Sequence, residues 1–260
     1  MEEDKRSKFR KYISRLRHKY TYLYKLNKRS PVFVYQMGKV GSQSIDFSLR
    51  NFYKGEILHG HAMYPNDKSI ENRLFYNYCV IEKKPVKIIT LAREPVGKNV
   101  SHFFQEFEQH TGKPFSDSAF SIEELKSIFL NTPSVRHTEP LTWFDDNILK
   151  NFDIDIFKES FPKEKGSIII NKGNVDILLM KSEITDEQKE LLISSFLNLK
   201  EFKITRQNVG DEKKYMKTYS LFKREVKFES AYLDMLYLSK YARHFYTDEE
   251  IKKARSQWEV

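Results

Sequence analysis

The hydrophobic and polar positions of this chain change period several times, and each change predicts an element. Over Lys5 to Lys28, Phe9, Ile13, Leu16 and Tyr20 recur every three or four residues among lysines and arginines. That spacing predicts an amphipathic helix with a basic face. Pro31 starts a new element, and residues 32–36 (VFVYQ) read as a short buried strand. Met37 to Ser44 form a Gly/Ser-containing turn, Ile45 to Phe52 a helix, and Glu56 to His61 a second strand. Residues 86–92 (VKIITLA) are continuous and apolar enough for a central parallel strand. Pro95 suits the first turn of the next helix, which runs toward His110. A Gly-, Pro-, Ser- and Asp-rich loop follows at 112–118, helices at 121–130 and 142–151, and strands at 167–171 and 174–181. From Asp186 the pattern is mostly helical, with a charged break at 206–214. Strands alternating with helices predict an α/β domain built on a mainly parallel sheet. The soft boundary near residue 30 divides the chain into a basic arm, 1–30, and an α/β domain, 31–260.

Composition narrows this further. The 260 residues include 20 Phe and 15 Tyr, enough apolar volume for a sizeable core, which excludes global disorder and a collagen-like or coiled-coil design. No run approaches the ~18 apolar residues of a membrane span, and the first 30 residues lack the apolar core of a signal peptide. The single cysteine, Cys79, excludes an intrachain disulfide framework and a Cys-rich zinc site and is most simply a core residue. A cytoplasmic protein is expected. The net charge of +9 suggests nucleic acid until it is located. Residues 1–30 hold eleven basic and three acidic residues, whereas the remainder is nearly balanced, 34 against 33. The basic character therefore belongs to the arm, and no nucleic-acid partner is expected. Such a helix either packs on its own domain or, through residues 5–28, lies at an anionic membrane surface such as the inner membrane face.

Two segments carry chemistry. The first, Met37-Gly38-Lys39-Val40-Gly41-Ser42-Gln43-Ser44, joins a strand to a helix. Successive backbone N–H groups and a helix N-terminus make a phosphate cradle, Lys39 adds a mobile charge, and Ser42 and Ser44 either donate to phosphate oxygens or cap the helix. A nucleoside triphosphate loop places its Lys after the last Gly; here Lys39 precedes Gly41. No apolar strand ends in a plain aspartate for Mg²⁺, so the donor expected is one that needs no metal. The second segment, Ala92-Arg93-Glu94-Pro95 to Ser101, follows the central strand. Arg93 stands at the carboxyl end of the sheet, where ligands bind in open α/β sheets. Its guanidinium fork and the Ser101 hydroxyl, two helical turns on, suit a terminal phosphate.

Taken together these segments resemble sulfotransferases. Lys39-Val40-Gly41-Ser42-Gln43-Ser44 is similar to their 5′-phosphosulfate-binding loop, and Arg93 with Ser101 to their 3′-phosphate-binding pair. The resemblance implies a P-loop-like sulfotransferase fold with a helical C-terminal part, and the donor 3′-phosphoadenylyl sulfate (PAPS). Lys39 and Ser42 to Ser44 would hold its phosphosulfate end, and Arg93 and Ser101 its 3′-phosphate. Gln43 departs from the family pattern, where a hydroxyl often stands, and Ser44 takes that role. The strongest similarity is to bacterial proteins grouped under capsular polysaccharide synthesis. It spans about residues 31–251 and includes the Arg-Glu-Pro turn, Thr142-Trp143-Phe144-Asp145 and the run Tyr237 to Ile251.

Sulfuryl transfer to an alcohol needs a general base. Leu58-His59-Gly60-His61-Ala62 closes the second strand, where positions two apart face one side. A neutral imidazole, with a pKa of ~6.5, suits proton abstraction near pH 7. The segment also resembles the catalytic segment of uronyl and heparan 2-O-sulfotransferases. His61 is the expected base, with His59 as helper or rival and Lys39 stabilising the leaving group. Glu94, Asp46 and Glu56 are further candidates, and two structural histidines are the plain alternative. A metal pair needs a third ligand, and none is expected here. Val135 to Phe144, rich in polar groups beside Trp143, is a candidate acceptor loop for a glycan, and Lys213 and Lys214 in the break at Gln207 to Tyr215 are candidates to cover the nucleotide. Asn99-Val100-Ser101 matches a glycosylation sequon without an export signal to support it. The expected function is transfer of a sulfuryl group from PAPS to a carbohydrate hydroxyl. The alternatives are a Mg²⁺-dependent phosphoryl-transfer enzyme and a non-enzymatic module that binds polyanions or membranes.

Overall fold

The computed structural model describes residues 2–115, 120–206 and 215–260. Five strands form one sheet: β1 (Val32–Tyr35), β2 (Ile57–Gly60), β3 (Val86–Ala92), β4 (Ser167–Lys172) and β5 (Val175–Lys181), in the order β2-β1-β3-β5-β4. The first four in that order run parallel, and β4 pairs antiparallel to β5 through a turn at Gly173. Helices flank the sheet: α1 (Glu2–Lys28), α2 (Ser42–Phe52), α3 (Ile70–Tyr76), α4 (Pro95–Gln105), α5 (Phe107–Thr111), α6 (Ile122–Asn131), α7 (Glu139–Phe144) and α8 (Lys150–Phe152) before β4. After β5 come α9 (Asp186–Leu197), α10 (Met216–Glu225), α11 (Ser230–Tyr237), α12 (Lys240–Phe245) and α13 (Asp248–Trp258). Every residue of β1 is buried, as are all but one of β3 and of β5. Central strands buried on both faces are what continuous β-branched runs produce.

The chain passes from β1 to β2 on one side and then returns to β3 on the other. This places the switch point of the sheet at β1, the position where the crevice of an open α/β sheet lies. A second core of aromatic residues, including Phe103, Phe104, Phe107, Phe129, Phe222 and Trp258, fixes α4 against the C-terminal helices.

Three local expectations change. The helix expected at 142–151 starts at Glu139 and continues through a π turn, Asp145–Leu149, into α8. The helix toward His110 breaks at Glu106, between α4 and α5. On α1, Tyr20 is exposed, and the buried side runs instead through Tyr22 and Leu26. The C-terminal part of α1 meets the body: Tyr78 donates to the Leu26 carbonyl at 3.0 Å, Lys25 pairs with Glu56 at 2.9 Å, and His18 pairs with Glu71 of α3. The side chain of Phe9, part of the 112–118 loop, and the break at 207–214 with Lys213 and Lys214 lie outside the described residues. Among the described residues no helix is long and apolar enough to cross a membrane.

Candidate functional site

The loop after β1 turns by way of two residues with positive φ, Lys39 (68°) and Gly41 (84°). Glycine takes this conformation readily, whereas lysine does so at a cost. Gly41 is the N-cap of α2, which has no side-chain cap and no acidic residue in its first turn. Ser42 does not cap the helix. Ser42 is buried, and its Oγ accepts from Gln36 Nε2 at 2.7 Å and lies 2.9 Å from His59 Nε2.

A cavity of about 200 Å³ opens over this loop. Lys39, Gly41, Ser42, Gln43 and Ser44 line it from one side and Arg93, Ser101 and Gln105 from another, and His59 and His61 close it. Val40 differs from the other loop residues: its side chain is buried in the core, and it borders an adjoining groove rather than this cavity. Arg93, just past β3, donates through Nη1 to the Lys39 carbonyl, so the second segment braces the first. Its main chain is held in turn by the Tyr241 hydroxyl, which accepts from Arg93 N at 2.9 Å and donates to Arg93 O at 2.8 Å. Gly41 and Arg93 also border a groove of about 370 Å³ that extends past Gly97 toward Trp258.

The two histidines have different surroundings. His59 is partly buried, and its Nε2 sits within 3.1 Å of Gln36 Nε2, which donates to it. Burial pushes its imidazole below the ordinary value, against the pull of Asp46. His61 lies one residue beyond β2 and is exposed. Its Nδ1–H donates to the Gln36 carbonyl at 2.9 Å, since a carbonyl only accepts. In the neutral ring the Nε2 lone pair is then the basic site. Trp143 Nε1–H donates to the His61 carbonyl at 2.8 Å, fixing this residue from the other side.

His61 also lines a second cavity of about 840 Å³, with Tyr64, Arg136, Glu139, Trp143 and Lys150. The two cavities thus meet at one imidazole. Trp143 and Phe144 of the expected acceptor loop are both core residues, though Trp143 keeps an edge in this wall. Beneath it the fully buried Lys98 is paired with Glu139.

The carboxylates considered as bases are engaged elsewhere. Glu94 caps α4, accepting from Val96 N at 2.8 Å and Gly97 N at 2.6 Å, and takes the Tyr237 hydroxyl at 2.7 Å. Burial pushes its carboxyl up against those hydrogen bonds. Asp46 pairs with Arg50 along α2 at 2.8 Å, and Glu56 with Lys25. Asn99 of the sequon is buried and donates to the His137 carbonyl at 2.9 Å, which closes it to glycosylation.

Sequence reasoning missed Gln36, which orders both histidines and Ser42. Its position directly after a buried strand and before the loop was the available signal. It also missed Glu106, whose Oε1 lies 3.1 Å from Lys39 Nζ.

Fold and site together define an α/β protein with a strand–loop–helix cradle at the switch point of a parallel sheet. Residues 117–247, half of the chain, match the family described as "Putative capsular polysaccharide synthesis protein", and the chain belongs to that family. The matched part carries Glu139, Trp143, Tyr237 and Tyr241, which support the cradle and the larger cavity from behind. No curated protein and no solved structure matches the chain.

Proposed function

We propose that this protein is a sulfotransferase of P-loop-like fold that moves the sulfuryl group of PAPS to a hydroxyl of a carbohydrate acceptor. The observation that carries this reading is the junction at His61. A small cavity lined by Lys39, Arg93 and hydroxyl groups, with no carboxylate among the described lining residues, opens onto a larger cavity at an imidazole with a basic Nε2. A cationic, hydroxyl-rich lining suits phosphate and sulfate oxygens. The larger cavity, with Trp143, Arg136, Glu139 and Lys150 in its wall, suits a sugar. A carbohydrate acceptor also accords with membership of a capsular polysaccharide synthesis family.

In this reading the acceptor oxygen bonds to sulfur as the bond from sulfur to the phosphate oxygen breaks. His61 Nε2 takes the acceptor proton, and adenosine 3′,5′-bisphosphate leaves. Lys39, Ser44 and the backbone N–H groups of the loop offset the charge on the leaving phosphate. Arg93 and Ser101 hold the 3′-phosphate, and the adjoining groove takes the remainder of the nucleotide. His59, ordered by Gln36 and Ser42, positions the loop serine and is not itself the base.

Calorimetric titration with adenosine 3′,5′-bisphosphate tests the donor site, with 5′-AMP and ATP–Mg²⁺ in parallel. Binding without metal, lost with 5′-AMP and with Arg93→Ala, is expected. Preference for ATP–Mg²⁺ would favour phosphoryl transfer instead. Absence of all nucleotide binding would overturn the reading. His61→Asn should keep bisphosphate binding and lower transfer to the acceptor by ~10²–10⁴-fold.

A further inference from the structure

The break between α4 and α5 gathers three metal-ligating side chains that the proposed transfer reaction does not use. In an unbroken helix the eight residues from His102 to His110 would span about 12 Å. In this fold the two rings lie with centroids 5.0 Å apart, and Glu106 stands between them in sequence. One ring nitrogen each of His102 and His110 and a carboxylate oxygen of Glu106 all lie within 4.8 Å of one another.

The hydrogen bonds around these rings point to a cation. His102 Nδ1 faces the Val135 carbonyl at 3.3 Å, which requires the proton on Nδ1. Its Nε2 nevertheless faces Glu106 Oε2 at 3.0 Å. A neutral ring would set a lone pair against a carboxylate there, so the contact calls for either a second proton or a metal ion. His110 Nδ1 lies 2.7 Å from Ser134 Oγ, and its Nε2 is buried without a partner. Outer hydrogen bonds on Nδ1 that present Nε2 inward are the usual orientation of metal-bound histidines. Val135 and Ser134 belong to one 3-10 turn, Pro133–Val135, so a single element orients both rings.

We propose that His102, Glu106 and His110 bind a divalent transition metal ion of the zinc type. Two imidazoles and a carboxylate form a familiar three-ligand set, with solvent as the fourth. Bonds of about 2.1 Å in a tetrahedron need ligand atoms about 3.4 Å apart, which small side-chain rotations here would reach. Glu106 would then join the ion to the phosphate loop, because its other oxygen pairs with Lys39. The site is separate from the pair His59 and His61, which border the cavity.

The test uses the full chain stripped with chelator and titrated with Zn²⁺ by calorimetry, and with Co²⁺ by visible absorption. One ion per chain and the intense absorption of tetrahedral Co²⁺ are expected. His110→Ala and Glu106→Gln should each weaken Zn²⁺ binding at least 100-fold, whereas His61→Ala should leave it unchanged. Circular dichroism reports whether the variants fold, and the Co²⁺ spectrum of the unaltered chain stands even if they do not. No stoichiometric binding, a purely octahedral Co²⁺ spectrum, or loss with His61→Ala in place of His110→Ala would overturn the proposal. None of these readouts depends on sulfuryl transfer, so they are independent of the nucleotide titration.

Discussion

Lys98 and Glu139 form an ion pair beneath the wall of the larger cavity, and replacing one member should cost far more than replacing both. Lys98 is fully buried, whereas the Glu139 side chain is 18% exposed and has Arg136 within 3.6 Å as a second cation. Burial pushes the Lys98 ammonium down, opposed by Glu139. Burial works to raise the Glu139 carboxyl, but Lys98 and then Arg136 hold it below the usual range. Glu139→Gln therefore strands a cation with no route to water. A buried charge left without its partner costs ~3–5 kcal/mol. At ~2–4 °C per kcal/mol in a chain of this size, the melting temperature should fall by about 10 °C. Lys98→Met leaves a carboxylate that retains Arg136 and some solvent, so a smaller loss of roughly 1–2 kcal/mol follows from the desolvation left over. The double variant, Lys98→Met with Glu139→Gln, keeps volume and removes both charges, and should recover most of the loss. Urea unfolding of the four proteins, with a common m-value, measures the coupling. The reasoning fails if Lys98→Met costs as much as Glu139→Gln, or if the double variant is no more stable than the sum of the singles predicts.

Gly41→Ala should lower stability by ~1 kcal/mol through its φ of +84° alone, since no atom lies within 4 Å of the added Cβ; thermal melts would show it, and a neutral result would mean the loop relaxes. Cys79 is buried, donates to the Phe75 carbonyl at 3.1 Å, and has its thiol pushed up to about 12 by burial. Iodoacetamide at pH 8 should therefore label it only as fast as the chain unfolds, and rapid labelling of the native protein would contradict the packing. Glu71 is held at about 2 by the Ser69 hydroxyl, its own main-chain N–H and His18. A depressed carboxyl stabilises the fold fully above its unfolded value of about 4.5 and loses that contribution as pH falls toward 2. The urea midpoint should thus drop more between pH 5 and pH 3 in the unaltered chain than in Glu71→Gln, and equal drops would remove Glu71 from the acid response.

Much of the scaffold was legible because it is local. The run VKIITLA in β3 spans the element observed, Val86–Ala92, since continuous apolar β-branched residues suit only a strand covered on both faces. The loop Gly38 to Ser44 and Arg93 after β3 announced themselves by residue type, and parallel pairing of β1 with β3 then brings them to one crevice. The antiparallel return of β4 was not legible, because its residues alternate no differently from those of a parallel strand and only the tight turn at Gly173 sets direction. Nor were the unlike roles of His59 and His61. Both follow from Gln36, whose amide meets one ring and whose carbonyl meets the other across neighbouring strands. Glu94 looked like a candidate base until the start of α4 and Tyr237 were seen to take its oxygens. The grouping of His102, Glu106 and His110 needed a helix break that their spacing does not specify. Residue types and periods determined the strands, the cradle and the cationic groups of this protein. Tertiary structure decided which tautomer, which carboxylate and which cavity each side chain serves, because those depend on hydrogen bonds between residues far apart in the chain.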